Sequence, residues 1–148
     1  MPSLSFAFFG SSPLSTAALE ALKESGFVPN LIVTTPDKPA GRGMTLTPSP
    51  VKQWALSHHI STLEPEKLDV ACIEKLGTTQ HDVYVVASYG KILPGELLKL
   101  PLHGVLNIHP SLLPLFRGPA PLQYQILEDV PETGASIMLL DEEVDHGP

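Results

Sequence analysis

Thiol chemistry is almost absent from this chain: Cys72 is the one cysteine in 148 residues. A disulfide framework or a multi-cysteine metal site cannot be built within one chain, and this usage fits a reducing cytoplasm. No stretch approaches the roughly 18 consecutive apolar residues of a membrane span, so no membrane association is expected. No basic region precedes the apolar run Leu4 to Phe9, which is therefore expected to be a strand and not a signal peptide. Positive charge is scarce. With 9 Lys and Arg against 16 Asp and Glu, the formal net charge is −7, which argues against strong nonspecific nucleic-acid binding by this segment. Glycine is thin where a dinucleotide site would need it. The first strand–helix turn, Phe9-Gly10-Ser11-Ser12-Pro13, does not carry the Gly-x-Gly-x-x-Gly fingerprint, which disfavours a dinucleotide-dependent dehydrogenase. Such a turn can still offer backbone N–H groups to an anion, although an ordinary strand–helix connection is the simpler reading.

What is present describes a globular α/β domain. Hydrophobic residues make up 43% and charged residues 17%, a balance that supports a packed core. The 16 prolines mostly fall between periodic segments and predict stiff loops. Strands are expected at Leu4–Phe9, Val28–Thr35, Ile60–Leu63, Asp82–Ser88, Val105–His109 and Gly134–Leu140. Helices are expected from the Ser12-Pro13 cap to Gly26, from the Ser49-Pro50 cap through Val51–His59, over Val70–Leu76, within Gly90–Leu98, and over Ala120–Leu127. Thr35–Pro50, with four prolines and two glycines, reads as one long loop. Alternation of this kind predicts a Rossmann-like, mainly parallel sheet with helices on both faces.

The chemistry concentrates in Val105-Leu106-Asn107-Ile108-His109-Pro110. Residues i and i+2 share one side of a strand, so Asn107 and His109 should project together from its carboxyl end, where α/β sheets bind ligands. An amide donor beside a proton carrier suits attack on a carbonyl. Asn and His also cap strand ends, and the spacing alone does not separate the two readings. The acidic run Asp141-Glu142-Glu143-Val144-Asp145 follows the last strand. It can bring Asp145 beside His109 to orient the imidazole, or it can be a solvated loop. A metal site at His109, His146 and Asp145 is disfavoured, since no ligand pair shows a metal-binding spacing.

Asn107-Ile108-His109-Pro110-Ser111-Leu112-Leu113-Pro114, followed by Arg117-Gly118, Ala120-Pro121, Thr133-Gly134 and Asp145-His146-Gly147, resembles the signature of the folate-dependent formyltransferases. The resemblance covers nearly the whole chain. Within that family, Pro36-Asp37-Lys38-Pro39-Ala40-Gly41-Arg42-Gly43 and Leu46-Thr47-Pro48-Ser49-Pro50-Val51-Lys52 are similar to the branch that acts on methionyl-tRNA. Acceptors in other branches are a sugar-nucleotide amine or glycinamide ribonucleotide, and a folate-binding fragment without turnover is the remaining alternative.

The resemblance implies a direct transfer of a formyl group from 10-formyltetrahydrofolate to the amino group of initiator methionyl-tRNA, with no metal. It assigns Asn107 to the formyl oxygen, His109 to proton movement and Asp145 to orienting His109. The folate would meet Ser111, Leu112, Leu113 and Pro114 on one side. On the other it would meet Ser88, Tyr89, Gly90, Ile92 and Leu93, with Asp141 in the closing loop. Lys38, Arg42 and Lys52 would meet tRNA, Arg42 through its planar fork. Met44 and Thr45 stand where many relatives carry more basic residues. Residues 1–148 are expected to form a catalytic domain incomplete at its C-terminal end, without the family's tRNA-binding barrel domain and with weak activity of its own. A cytoplasmic location and a monomeric full-length form are further expectations.

Overall fold

The computed structural model describes residues 4–143 and 145–148. Its centre is a six-stranded sheet, made of β1 (Phe6–Phe9), β2 (Leu31–Val33), β5 (Ser61–Leu63), β6 (Val83–Val86), β7 (Val105–His109) and β8 (Ser136–Leu139). The spatial order is β5-β2-β1-β6-β7-β8. All pairs are parallel except β7 with β8, which is antiparallel. Strand order reverses between β1 and β6, the kind of switch point where doubly wound sheets open a crevice.

Alternation along the strands builds two cores. Ala7 and Phe9 of β1, Tyr84 and Val86 of β6 and Val105 of β7 face one side. There α3 (Val70–Gly77) and α4 (Gly95–Leu98) cover them with Cys72, Leu76 and Leu97. Phe6 and Phe8 of β1, with Val83 and Val85 of β6, face the other side. There α1 (Pro13–Glu24) and α2 (Pro50–Ser57) supply Leu19, Val51, Trp54 and Ala55. Helices therefore sit on both faces, as the alternation predicts. The fifth helix, α5 (Pro121–Leu127), buries only Pro121 and Gln125.

Local chemistry explains the helix starts. Ser12 accepts from Ser15 N–H within a reciprocal capping box, with Pro13 in the first turn. Ser49 caps α2 in the same way by accepting from Lys52 N–H at 3.0 Å. Gly10 is needed in the β1–α1 turn. A Cβ there would stand 2.7 Å from the Ser15 side chain and 2.8 Å from the Ala87 carbonyl oxygen. Ser11 and Ser15 hydroxyls donate to the Ala87, Ser88 and Tyr89 carbonyls, so the turn closes against the end of β6.

One expectation is corrected. Thr35–Pro50 is not a plain loop but holds an antiparallel hairpin of β3 (Lys38–Ala40) and β4 (Thr45–Thr47). Pro39 pairs with Leu46 in an isolated two-stranded ribbon, a setting that tolerates a residue without an N–H donor. The second and first strands are also shorter than expected, beginning at Leu31 and Phe6.

Candidate functional site

β7 runs through the middle of the site. Asn107 lies opposite Val86 of β6 and Met138 of β8. His109 lies opposite Ser136. Pleating puts both on the face that Val105 shares with α3 and α4. His109 is buried, with a residue exposure of 4%, while Asn107 is half-buried. Among the described residues the Asn107 amide forms no hydrogen bond, and it lies at the carboxyl end of a parallel strand.

Both nitrogens of His109 face oxygen. Nε2 lies 2.9 Å from the Phe116 carbonyl, which can only accept, so Nε2 carries a proton. Nδ1 stands 3.7 Å from Oδ1 of Asp145, beyond a direct hydrogen bond. The second oxygen of Asp145 accepts from Gly118 N–H at 2.7 Å. Thus Phe116 and Gly118, two residues apart in one turn, hold the imidazole and the carboxylate through backbone groups. Gly118 has φ +98, a conformation that glycine adopts without a Cβ penalty.

The turn after β7 is held from inside. Ser111 is fully buried, and its hydroxyl donates to the Leu115 carbonyl at 2.7 Å. Ser136 donates to the Ser111 carbonyl at 2.8 Å and accepts from Leu113 N–H at 3.1 Å. Leu113–Pro114 is a cis peptide. The side chain of Leu112 lies where a Cβ on Gly134 would fall, and Pro114 is exposed. Gln125, also buried, donates to the Pro110 carbonyl at 2.8 Å and accepts from Thr133. An apolar cavity of about 240 Å³ opens beside this turn, lined among others by Leu112, Leu115, Phe116 and Gln125.

The segment that follows β6 alternates. Tyr89 and Leu93 turn into the core, whereas Ser88, Gly90 and Ile92 are exposed. The Tyr89 ring is buried and packs edge-on against Phe9, and burial pushes its hydroxyl up to about 12. The segment after β8 reaches α4: the Glu142 side chain lies against Gly95 at its start. Asp141 accepts from His146 Nδ1 at 2.8 Å and from Glu143 N–H at 2.9 Å. That contact holds the Asp141 carboxyl below its ordinary value and His146 above its own. Val144, part of the same run, lies outside the described residues.

The basic residues divide. Lys38 and Arg42 are exposed on the hairpin. Lys52 is turned inward and held by Asp37 at 2.8 Å and Glu64 at 2.9 Å. Its ammonium is thus already paired with two carboxylates. A polar cavity of about 220 Å³ lies at the hairpin base, lined by Ser11, Thr35, Pro36, Lys38, Thr47 and Ser49.

Phe116, Gly118, Ser136 and Gln125 were not singled out from sequence as site residues. The first two act through their backbones, and Ser136 becomes visible only once the antiparallel register is known. Among the described residues no group of His, Cys, Asp and Glu is arranged to hold a metal ion, and no helix is long and apolar enough to cross a membrane.

Strand order and the placement of Asn107, His109 and Asp145 define a doubly wound α/β protein with its polar chemistry at the carboxyl end of β7. The chain belongs to the formyl transferase family, whose model matches residues 3–148. It is 49% identical over 141 residues to the methionyl-tRNA formyltransferase of Nitrosomonas eutropha, covering 95% of this chain and 45% of that protein. Against the methionyl-tRNA formyltransferase of Chloroflexus aurantiacus strain J-10-fl the identity is 49% over 142 residues, covering 95% and 46%. The chain thus spans just under half the length of these curated relatives. Its fold matches the crystal structure of phosphoribosylglycinamide formyltransferase from Bacillus halodurans with a TM-score of 0.76 and 27% identity, covering 97% of this chain and 75% of that one.

Proposed function

We propose that this chain carries the reaction centre of a methionyl-tRNA formyltransferase, which moves a formyl group from 10-formyltetrahydrofolate to the amino group of initiator methionyl-tRNA. The observation that carries the reading is that Asp145, from the segment after β8, stands 3.7 Å from His109, which shares one face of β7 with Asn107. The named relatives, 49% identical to this chain, support the choice of acceptor.

When bound, the folate supplies an activated formyl carbon on nitrogen. The attacking amine forms a new C–N bond to that carbon, the bond to the folate nitrogen breaks, and one proton passes from amine to folate nitrogen. Asn107 suits the formyl oxygen, because a fixed amide donor stabilises negative charge as it develops. His109 suits the proton, provided that substrate binding displaces the Phe116 carbonyl from Nε2. Asp145, 3.7 Å from Nδ1, suits orienting the imidazole across a bridging water. The residues present suit a folate: Ser88, Gly90 and Ile92 are exposed after β6, and the loop that carries Asp141 and Glu142 reaches Gly95 at the start of α4. The cis-Pro turn at Leu112–Pro114 borders the same end of β7. Lys38 and Arg42 on the hairpin suit phosphates of the acceptor stem.

The test is incubation of the protein with 10-formyltetrahydrofolate and, separately, methionyl-tRNA, glycinamide ribonucleotide and a sugar-nucleotide amine. Formylation of methionyl-tRNA alone is expected. Transfer to one of the other amines in its place would overturn the acceptor, and no transfer to any amine despite folate binding would overturn the activity.

A further inference from the structure

The β3–β4 hairpin has nothing buried to hold it. Every residue from Lys38 to Thr47 is exposed, and a two-stranded ribbon is at best marginally stable by itself. Its direction must therefore be set at its base. Both ends of the hairpin meet the first turn of α2. On the entry side, Asp37 Oδ1 lies 2.8 Å from Lys52 Nζ. On the exit side, Ser49 caps the N–H of Lys52 at 3.0 Å and bonds the buried Thr34 hydroxyl at 2.7 Å. Lys52 then reaches Glu64, just beyond β5, at 2.9 Å, and Thr62 donates to the other oxygen of Glu64 at 3.2 Å.

We propose that Lys52 is a positioning residue that clamps the β3–β4 hairpin to the parallel sheet, and that it does not itself contact nucleic acid. One ammonium between two carboxylates leaves a net negative charge at this point, which repels phosphate. The three side chains are only 19%, 33% and 25% exposed, so the attraction is less screened than at an open surface. Removing Lys52 leaves Asp37 and Glu64 facing each other as like charges, and the hairpin entry is pushed off the end of β5. The positions of Lys38 and Arg42 then become undefined.

The hairpin contains its own reporter. Trypsin does not cut Lys38 before Pro39, so Arg42–Gly43 is its one cleavable bond there. In Lys52→Met, cleavage after Arg42 is expected to rise about tenfold, while cleavage after Lys75 in α3 stays constant, because local opening governs proteolysis. Lys52→Arg should restore the slow rate. Asp37→Asn loses one arm of the clamp and keeps Lys52 with Glu64, so it serves if Lys52→Met fails to fold, and it should show a smaller rise. Cleavage at the parent rate in Lys52→Met, or in Asp37→Asn should the first variant not fold, overturns the proposal.

The second readout rests on the proposed function. In Lys52→Met the KM for methionyl-tRNA should rise about tenfold with kcat and the folate KM held, the pattern of lost binding. A faster cut without that rise leaves the clamp standing and removes the hairpin as a tRNA contact. A raised KM with an unchanged cut makes Lys52 itself the nucleic-acid contact and overturns the clamp.

Discussion

His109 and Asp145 stand 3.7 Å apart, Nδ1 to Oδ1, joining the end of β7 to the segment that follows β8. Their side chains are only 6% and 10% exposed, so solvent screens their attraction little. The gap is longer than a hydrogen bond and suits a bridging water. Each partner is also tied on its far side, His109 to the Phe116 carbonyl and Asp145 to Gly118 N–H. One turn, Phe116 to Gly118, therefore controls the orientation of both groups.

His109→Ala should lower formyl transfer by about 10²–10⁴, the usual contribution of a positioned proton carrier, while leaving folate affinity near its parent value. Single-turnover transfer and equilibrium folate binding, measured on the same preparation, separate the two. Retained transfer would remove His109 as the proton carrier, and lost folate binding would make its role structural.

Asn107→Ala should cost roughly 10²–10³ in rate with little change in melting temperature, as for the loss of one oxyanion donor. The amide has no partner among the described residues and is half-buried, so its removal leaves no buried group stranded. A large fall in melting temperature with unchanged rate would return Asn107 to a capping role.

Sequence reveals those parts of this molecule that depend on local periodicity. Period two along Val105–His109 puts Asn107 and His109 on one face whatever the neighbours are. The Ser12-Pro13 and Ser49-Pro50 caps are complete within four residues, and the structure contains both. Features that depend on partners distant in sequence stay hidden. Strand propensity in Ser136–Leu139 carries no direction, so the antiparallel pairing with β7, and with it the contact of Ser136 with the Ser111 turn, could not be read. Lys38-Pro39-Ala40 lacks alternation and carries a proline, yet it pairs with Thr45-Leu46-Thr47 because an isolated ribbon tolerates both. The pairing of Lys52 was equally hidden, because Glu64, one of the two carboxylates that hold it, is brought near only when β5 joins the sheet.

The loop that bears Asp145 should respond to pH through a neighbouring pair. Its hydrogen bond with Asp141, reinforced by the charge of Glu143, raises His146 above the ordinary 6.5. Its contribution is therefore complete below pH 6.5 and is lost as pH rises through the raised value. Asp141 is lowered from the ordinary 3.8 by His146 first and by Glu143 N–H second, so its share is present above 3.8 and is lost as pH falls through the lowered value. Hydrogen-exchange protection factors for residues 141–143 and 145–146 should hold between those limits and fall on the alkaline side. His146→Gln should show no alkaline fall, and the same fall in both proteins would sink the assignment.

Gly147, in the closing segment, should tolerate no side chain. A Cβ added there would overlap the carbonyl oxygen of Leu139, with the Leu139 carbonyl carbon 2.9 Å and Asp141 N 3.5 Å away. These are backbone atoms of β8 and its exit, and they cannot rotate aside as a side chain does. The close approach exists because Leu139 N–H donates to the Pro148 carbonyl at 2.7 Å, which lays residues 146–148 along the outer edge of β8. Gly147→Ala must break that bond and lift the segment, carrying Asp145 away from Gly118 and His109. A loss of about 1–3 kcal/mol in urea unfolding is expected, the cost of forcing extra volume into a closed contact. Gly43→Ala is the control, because its nearest neighbour would be the Thr45 hydroxyl at 3.5 Å, and a change within about 0.5 kcal/mol is expected there. Equal unfolding midpoints for the two variants would show that residues 146–148 do not lie against β8 in solution. The anchoring of Asp145 would then have to come from Gly118 alone.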